Sequence, residues 1–375
     1  MSDHVTLFLF VKGTAESEIE KLVADAQMAA SLETLEKIRT LDQVGEIVVS
    51  TASAEFAEQA RALGARVEID PPDMNFHWGR QLAALVEKYR AAKPLYIGGG
   101  SGALMSVEDW RSMVQRALEE TNVVITNNYF SCDFAAWSPG QALEKIEPPE
   151  LDNDLAFRLG ERVGLKRVSL PKNAATQLDI DTPSDLQTIS FHAALGKRLR
   201  QVIDAAHLDT SNVERLLPML TDRDQTMLAV GRVSASMMLF LERETRCQWR
   251  LFSEERGMRA SGREARGEAR SLVGFYLEQA GIHNFATALP QLANAALIDS
   301  RILFAHYRLQ PSGSDRFHSD LLQPDLIRDP FLREFTAAMR DAPIPILLGG
   351  HSLVSGGMYT LVEVVQARAL GNSTR

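Results

Sequence analysis

Two aspartates spaced two residues apart, Asp179 and Asp181, are the side chains in this 375-residue chain best placed to hold a metal ion. In an extended segment, residues at this spacing point to the same side. Carboxylate oxygens are the ligands that Mg²⁺ and Mn²⁺ prefer. Thr182 and Pro183 follow, and they suit the N-cap and first position of a helix. The pattern predicts a divalent-cation site in front of a helix, with a helix start alone as the alternative.

A second candidate is a glycine cluster that follows an apolar segment over 95–97. Backbone N–H groups of clustered glycines can approach an anion closely, and a helix N-terminus adds partial positive charge. The strand, loop and helix context favours a phosphate- or substrate-binding loop over a flexible connection. The cluster consists of Gly98, Gly99, Gly100, Ser101 and Gly102.

Polar residues between two apparent strands, 123–126 and 134–137, form a third candidate. Open α/β sheets bind ligands outside the carboxyl ends of their strands. Asn127 and Asn128 are therefore predicted to contact a base or sugar, and Asp133 is a further candidate metal ligand. An asparagine turn is the alternative, and it is favoured for Asn128.

Three neighbouring residues further along the chain, 152–154, also carry two carboxylates. They are interpreted as the cap of a helix that begins near Leu155, because aspartate is a common N-cap residue. Ligation of a cation by these carboxylates is the alternative.

The order of elements predicts how these residues are positioned. An apolar run over 5–11 indicates a buried strand, and further strands alternate with amphipathic helical segments as far as about residue 137. Alternation of this kind predicts parallel strands with crossover helices. We therefore expect residues 1–190 to form a three-layer α/β domain.

From about Phe191 the pattern changes, and residues 191–375 are predicted to form a mainly α-helical domain. A late strand is expected at 344–348, followed by a glycine-rich turn at 349–357. That turn fails the G-x-S-x-G pattern, so a turn lining a ligand is favoured over a serine nucleophile. Helices are predicted over 227–241, 272–277 and 293–307.

Arginines recur every three or four residues between Arg256 and Arg270, which would place them on one face of a helix. Such a face could bind phosphate or carboxylate groups. Interleaved glutamates favour a salt-bridged face instead, and Gly257, Gly262 and Gly267 weaken the helix.

The segment LDIDTPSDL, residues 178–186, resembles the signature near the end of the catalytic domain of MobA-like nucleotidyltransferases. This group includes the guanylyltransferases of molybdenum cofactor and of phospholactate. The order of elements agrees over about residues 4–190. Residues 70–73 with Gly79 and Arg80 match the family's nucleobase side, and residues 95–98 with 106–109 match its central strand and the helix start that follows.

The resemblance implies a GT-A-like Rossmannoid fold and transfer of a nucleotidyl group from a nucleoside triphosphate to a small phosphorylated or oxyanion acceptor, with release of pyrophosphate. By the same resemblance, Lys12 would hold phosphate, and Asp179, Asp181 and Asp133 would hold Mg²⁺ or Mn²⁺. The glycine cluster, Gly79, Arg80, Asn127 and Asn128 would bind substrate.

The sequence departs from the family at two places. Its first loop has a single glycine and a single lysine, Gly13 and Lys12, and Gly99 to Ser101 replace the family's metal-binding aspartate. Two other functions therefore stay open: a catalytically degenerate nucleotide- or ligand-binding regulatory protein, and a glycosyltransferase that uses a nucleotide sugar. Whether the chain is an enzyme is left open.

Composition limits the partners. With 40 basic and 49 acidic residues, the net charge of −9 lacks the basic footprint of a nucleic-acid-binding protein. Two cysteines cannot form a disulfide framework. The N-terminus lacks the pattern of a signal peptide, and no apolar stretch reaches the ~18 residues that span a bilayer. We expect a cytoplasmic protein with small-molecule partners, no membrane association and no nucleic acid, with a homo-oligomer left open.

Overall fold

The computed structural model describes residues 4–71 and 76–373. The chain folds into two compact units whose segments alternate along the sequence. The first unit consists of Met1–Ala15, Ala24–Asp179 and Gly196–Val202. The second consists of Glu16–Val23, Ile180–Leu195 and Ile203–Arg375. This division differs from a single boundary at residue 190, which stays a prediction.

The first unit contains, in its described part, a seven-stranded sheet in the order β3-β2-β1-β4-β6-β5-β7. Strand β6 pairs antiparallel with β4 and β5, and the other neighbours are parallel. The strands are β1 (Val5–Val11), β2 (Val44–Thr51), β3 (Arg66–Ile69), β4 (Pro94–Gly98), β5 (Val123–Thr126), β6 (Phe134–Ser138) and β7 (Lys166–Ser169).

Helices cover both faces of this sheet, because successive residues of a buried strand point to opposite sides. In β1, Leu7 and Leu9 belong to one apolar core, and Phe8 and Phe10 belong to another. The first unit is therefore the three-layer α/β domain that the sequence predicts. The helices through residue 206 are α1 (Glu18–Ile38), α2 (Ala54–Ala62), α3 (Trp78–Lys88), α4 (Val107–Glu119), α5 (Leu155–Val163), α6 (Ala174–Gln177), α7 (Pro183–Ile189) and α8 (Lys197–Ala206).

The second unit is rich in helix, as predicted, and also contains a parallel four-stranded sheet in the order β11-β10-β8-β9. Its strands are β8 (Thr226–Gly231), β9 (Gln248–Ser253), β10 (Ala295–Asp299) and β11 (Ile346–Gly349). Its further helices are α9 (Ser211–Leu216), α10 (Ala235–Glu244), α11 (Leu272–Leu292, interrupted at Gly281), α12 (Arg301–Tyr307), α13 (Gly313–Asp320), α14 (Pro330–Arg340) and α15 (Gly356–Ser373).

Two of the helices predicted in this half are wrong at their starts. The segment 227–241 divides into β8 and α10, and the segment 293–307 divides into β10 and α12. A strand buried on both faces is a short continuous apolar run, which periodicity cannot distinguish from part of a buried helix. The strand predicted at 344–348 is confirmed as β11, and the helix at 272–277 is confirmed within α11.

The arginines between Arg256 and Arg270 do not lie on a helix. Residues 256–267 form turns, and Gly257, Gly262 and Gly267 adopt positive φ values of 72°, 70° and 64° that interrupt a helix. The salt-bridge interpretation is confirmed. The ion pairs are Arg259–Glu264, Arg263–Glu255 and Arg266–Glu268.

In the described ranges, no helix combines the length and the apolar character that crossing a membrane requires.

Candidate functional site

The loops after β1 and β4 meet at the carboxyl edge of the first sheet. A Cβ added to Gly99 would lie 3.1 Å from the Phe10 carbonyl oxygen and 3.3 Å from the α-carbon of Val11. The glycine cluster therefore packs against the last residues of β1, directly before Lys12, whose side chain is exposed. The absence of a side chain at Gly99 is what allows this close approach.

The glycine cluster forms a tight turn. The Ser101 N–H donates to the Gly98 carbonyl oxygen at 3.2 Å. Gly100 and Gly102 have φ values of 94° and 67°, a region that residues with a side chain rarely adopt. A Cβ on Gly102 would also lie 2.6 Å from Trp110 Cζ2. This turn therefore needs its glycines for backbone conformation and for packing.

Ser101 connects this turn to one of the two predicted metal ligands. Its Oγ donates to Asp179 Oδ1 at 3.0 Å. Ser101 is buried, whereas Asp179 keeps part of its surface exposed. The carboxylate is thus oriented by the turn and remains accessible at the sheet edge.

Asp133 contacts the same turn through its backbone. The Gly98 N–H donates to the Asp133 carbonyl oxygen at 2.9 Å. Asn127 Nδ2 donates to Asp133 Oδ2 at 2.6 Å, and Asn127 Oδ1 accepts from the backbone N–H groups of Asp133 and Phe134 at 3.1 and 3.4 Å. Because Asn127 is almost completely buried and engaged at both ends of its amide, its observed contacts position Asp133.

Three residues at this edge were missed or misassigned from the sequence. Gln177 Nε2 donates to the Asn127 carbonyl oxygen at 2.9 Å, and Tyr96 Oη donates to Asp152 Oδ2 at 2.7 Å. Asp152 Oδ2 also lies 3.3 Å from where a Cβ on Gly98 would be. Burial, with Asp152 next in importance, raises the pKa of Tyr96 well above its usual value.

The helix predicted to begin near Leu155 is confirmed, with a residue of 152–154 at its N-cap position, but no side-chain cap forms there. The side chain of Asp154, at the N-cap position of α5, forms no capping hydrogen bond and pairs instead with Arg158 at 2.5 Å. Asp152 faces the glycine turn. No spacing in the sequence indicated Gln177 or Tyr96, because both interactions join positions far apart in the chain.

The predicted substrate residues Gly79 and Arg80 form their hydrogen bonds with Pro149 and His77, not with the glycine turn. The Gly79 N–H donates to the Pro149 carbonyl oxygen at 3.1 Å, and an added Cβ would lie 2.3 Å from that oxygen. Gly79 thus permits close packing of α3, and the Arg80 N–H donates to the capping His77 Nδ1 at 3.3 Å. Pro72 and Asp73 of the nucleobase-side segment lie outside the described residues.

The asparagine-turn interpretation of Asn128 is confirmed, since its Oδ1 accepts from the Phe130 N–H at 3.2 Å. A direct contact of Asn127 or Asn128 with a base or sugar stays a prediction.

Asp181 belongs to the second unit, whereas Asp179 belongs to the first. Its side chain is exposed, and its N–H donates to Asp185 Oδ2 at 3.0 Å. The predicted helix start is confirmed, because Thr182 and Asp185 form a capping box in front of α7. Burial, then the charge of Asp181, raises the pKa of Asp185 to about 7.

Among the residues with described positions, no three His, Cys, Asp or Glu side chains form a cluster that could hold a metal ion. The predicted set of Asp133, Asp179 and Asp181 is therefore not a preformed three-carboxylate site. Mg²⁺ commonly uses one or two carboxylates and completes its coordination with substrate phosphates and water. Asp133 and Asp179, each hydrogen-bonded to a residue of the glycine turn, fit that smaller protein contribution.

No family model matches the chain, and no curated protein does. Solved structures similar to it include a cytidylyltransferase from Leptospira borgpetersenii, at 16% identity, with a TM-score of 0.38, covering 55% of this chain and 95% of that one. Another is 4-diphosphocytidyl-2C-methyl-D-erythritol synthase from Anaerococcus prevotii, at 12% identity, with a TM-score of 0.36, covering 49% and 95%.

A third is CMP:2-keto-3-deoxy-manno-octonic acid synthetase complexed with CTP, at 11% identity, with a TM-score of 0.35, covering 50% of this chain and 96% of that one. At TM-scores below 0.5, none of these similarities carries weight for this chain. The fold assignment rests on the strand order and on the two core layers of the first unit.

Proposed function

We propose that the first unit binds a nucleoside triphosphate and transfers its nucleotidyl group to a small phosphorylated or other oxyanion acceptor, with release of pyrophosphate. The observation that carries this proposal is the glycine turn between two partly exposed carboxylates, Asp133 and Asp179, at the carboxyl edge of a parallel sheet. This is the edge where open α/β sheets bind ligands.

The glycine turn supplies the phosphate-binding part of the proposal. Backbone N–H groups in turns with left-handed residues can form a concave anion site, and Gly100 and Gly102 provide that conformation. Exposed Lys12 follows β1 next to the turn, so its ammonium group can reach a phosphate bound there. The chain would thus neutralise charge with one lysine and several backbone dipoles.

Mg²⁺ bound with the nucleotide would neutralise phosphate charge and favour the departure of pyrophosphate. Asp133 and Asp179 are the residues that would hold it. Ser101 orients the carboxylate of Asp179, and Asn127 orients that of Asp133, so both groups are held in place before an ion binds. Participation of Asp181 remains part of the sequence prediction.

The role of these residues is to position and neutralise rather than to form a covalent bond. An acceptor oxyanion would attack the α-phosphorus, a bond to the bridging oxygen would break, and pyrophosphate would leave. Correct placement of the reacting groups and stabilisation of developing charge supply most of the acceleration in such transfers. A specific MobA-like relationship, which the LDIDTPSDL segment suggests, belongs to this proposal.

Thermal unfolding with each nucleoside triphosphate, with and without Mg²⁺, tests the proposal. A ligand at about 100 times its Kd stabilises the native state by about 2.7 kcal/mol. We expect a nucleotide to raise the Tm only with Mg²⁺, and Asp179→Asn to remove this rise while keeping the acceptor for Ser101. Asp42→Asn, at an exposed aspartate before β2, is the matched control and should respond like the wild type.

Pyrophosphate release, measured with a set of phosphorylated acceptors, then separates an enzyme from a binding protein. Nucleotide binding without release for any acceptor would favour the degenerate binding protein. A rise in Tm with nucleotide sugars alone would favour the glycosyltransferase. If no nucleotide changes the Tm, or if Asp42→Asn and Asp179→Asn behave alike, the proposed site is wrong.

A further inference from the structure

The second sheet has its own topological switch point. In the order β11-β10-β8-β9, the chain passes from β8 to β9 on one side and then crosses to β10 on the other. In doubly wound sheets, such a reversal leaves a crevice at the carboxyl ends of the two strands, and ligands bind there. By that rule, the crevice of this unit is expected between the ends of β8 and β10.

Charged residues stand at this point. Arg232 follows β8 directly, and its Nε and Nη2 donate to the two carboxylate oxygens of Asp299, the last residue of β10, at 2.6 and 3.1 Å. A Cβ on Gly231, whose φ is 134°, would lie 2.3 Å from Asp299 Cβ. A glycine is therefore required where the two strand ends meet.

A second buried ion pair extends this arrangement. Arg301 follows β10 and donates from both terminal nitrogens to Asp320 of α13, at 2.7 and 2.6 Å. Ser300, between the two ion pairs, donates its N–H to the carbonyl oxygen of Gly349 at the end of β11, at 3.1 Å. The ends of three strands are thus joined by paired charges and one backbone contact.

Arg316 lies beside this network with one donor unpartnered in the described ranges. It lies one helical turn before Asp320 on α13, and its Nε is buried without a hydrogen-bond partner among the described residues. Desolvation, then the charges of Arg301 and Arg259, lowers its pKa despite the nearby carboxylates of Asp320 and Glu20. A guanidinium N–H without a hydrogen-bond partner inside a protein is costly, and an anion that accepts its hydrogen bond would remove that cost.

His351 also lies near arginines of this sheet edge. Desolvation and the charge of Arg232, with Arg256 contributing, lower the pKa of His351 to about 4 despite the nearby Asp299. His351 follows the Gly349–Gly350 turn after β11. Arg256 is exposed and forms no ion pair within the described ranges, unlike Arg259, Arg263 and Arg266 of the same loop.

We propose that the crevice between β8 and β10 binds the phosphate group of a small molecule, with Arg316 and Arg256 as its charged contacts. A phosphate group carries up to two negative charges and three strong acceptor oxygens, so it can satisfy more than one arginine, whereas a carboxylate carries one charge. The site lies wholly within the second unit and does not depend on the proposed nucleotidyl transfer.

Calorimetric titration of the full chain with inorganic phosphate, pyrophosphate and acetate, in EDTA to exclude metal-dependent nucleotide-site binding, tests this site. We expect phosphate and pyrophosphate to bind and acetate not to bind. Arg316→Gln and Arg256→Gln should each raise the Kd at least about tenfold, the usual effect of losing a charge-assisted contact. Arg333→Gln, at an exposed arginine of α14, is the matched control and should leave the Kd unchanged.

The thermal stability of the apo variant distinguishes a ligand-binding arginine from a structural one. Because Arg316 Nε has no hydrogen-bond partner among the described residues, the Tm of Arg316→Gln should be equal to or above that of the wild type. Phosphate should then raise the Tm of the wild type and of Asp179→Asn, but not that of Arg316→Gln. The proposal fails if neither phosphate nor pyrophosphate binds, if acetate binds equally well, if the arginine variants bind normally, or if Asp179→Asn abolishes binding.

Discussion

The buried side chain of Asn127 holds Asp133 in place through hydrogen bonds. Its role can therefore be tested by the free energy of unfolding of a variant. In Asn127→Ala, the N–H groups of Asp133 and Phe134 lose their side-chain acceptor inside the protein. Leaving buried donors unpaired costs about 1–3 kcal/mol. Asn128→Ala is the control, because it removes a hydrogen bond of an exposed turn and should change stability by less than about 0.5 kcal/mol.

Urea unfolding monitored by circular dichroism measures both variants. Equal losses of stability at positions 127 and 128 would contradict the positioning role of Asn127. Nucleotide binding by Asn127→Ala should also weaken, since Asp133 would no longer be held by the amide.

The pKa of His351 predicts a pH dependence of stability. Its folded value of about 4 lies below the usual 6.5, so the unfolded chain binds the proton more readily. The stabilisation from neutral His351 is present above about pH 6.5 and is lost as the pH falls towards 4. Between about pH 7.5 and pH 5 the wild type should therefore lose roughly 2 kcal/mol more than His351→Gln.

Asp185 acts in the opposite direction, because its pKa of about 7 is raised by burial and the adjacent Asp181. The contribution of Asp185 to the free energy of unfolding falls as the pH rises towards 7. This contribution is the same in the wild type and in His351→Gln, so it cancels in the difference between them. The free energies of unfolding of wild type and His351→Gln, measured across this range, provide the test. Parallel pH profiles would show that His351 titrates normally.

At the scale of elements, the glycine turn after β4 allows a comparison of two glycines with similar conformations. Gly100 has a φ of 94°, and Gly64, after α2, has a φ of 88° with open space around an added Cβ. Valine at either position should cost about 1–3 kcal/mol through backbone strain. Only Gly100→Val should also abolish the rise in Tm with nucleotide and Mg²⁺.

This pair of variants separates strain from blocked access. Normal nucleotide binding by Gly100→Val would make the turn after β4 a connector. Loss of binding in both variants would show that strain alone affects the site at a distance.

Strands β1 to β6 were predictable from sequence because each is followed by a recognisable helix or turn. Strand β7 was not predicted, and the antiparallel direction of β6 departs from the expected parallel strands. The second sheet was not predictable, since β8 and β10 are apolar runs joined closely to helices, and their apolar residues continue into α10 and α12. What ends each strand is a change of backbone conformation, which the apolar pattern does not reveal. At Gly231 the φ value is 134°, and the backbone packs closely against Asp299, which is 68 residues away in the sequence.

The site was predictable to the same limited extent. Gly98 to Gly102, Asp133 and Asp179 were selected from local patterns, and hydrogen bonds bring them together. Asp152 was recognised as a carboxylate but assigned to a cap, because only the tertiary fold places it beside Gly98. Gln177 carried no local signal at all.

For the whole molecule, the alternating segments of the two units predict opposite effects of two leucines. Leu186 and Leu199 are both completely buried, but Leu186 belongs to the second unit and Leu199 to the first. A boundary at residue 190 would assign them the other way round. Leucine-to-alanine substitution in a core usually costs about 2–5 kcal/mol, enough to increase local opening.

Hydrogen exchange of the full-length variants measures which sheet opens. We expect Leu199→Ala to accelerate exchange in α1 from Ala24 onward and in β1, and Leu186→Ala to accelerate it in β10 and β11. The reverse assignment would support the boundary at 190. Acceleration in both sheets by either variant would contradict independent units.

The hydrogen bond from Ser184 Oγ to the Leu348 carbonyl oxygen has a consequence for synthesis of the chain. Helix α7 leaves the ribosome 164 residues before the strand that accepts this bond. At a synthesis rate of about 5–20 residues per second, β11 is made roughly 8–33 s after α7. During that interval every residue from Pro183 to Ile189, buried in the finished protein, lacks its final neighbours, so this segment of a nascent chain stays exposed until β11 is made.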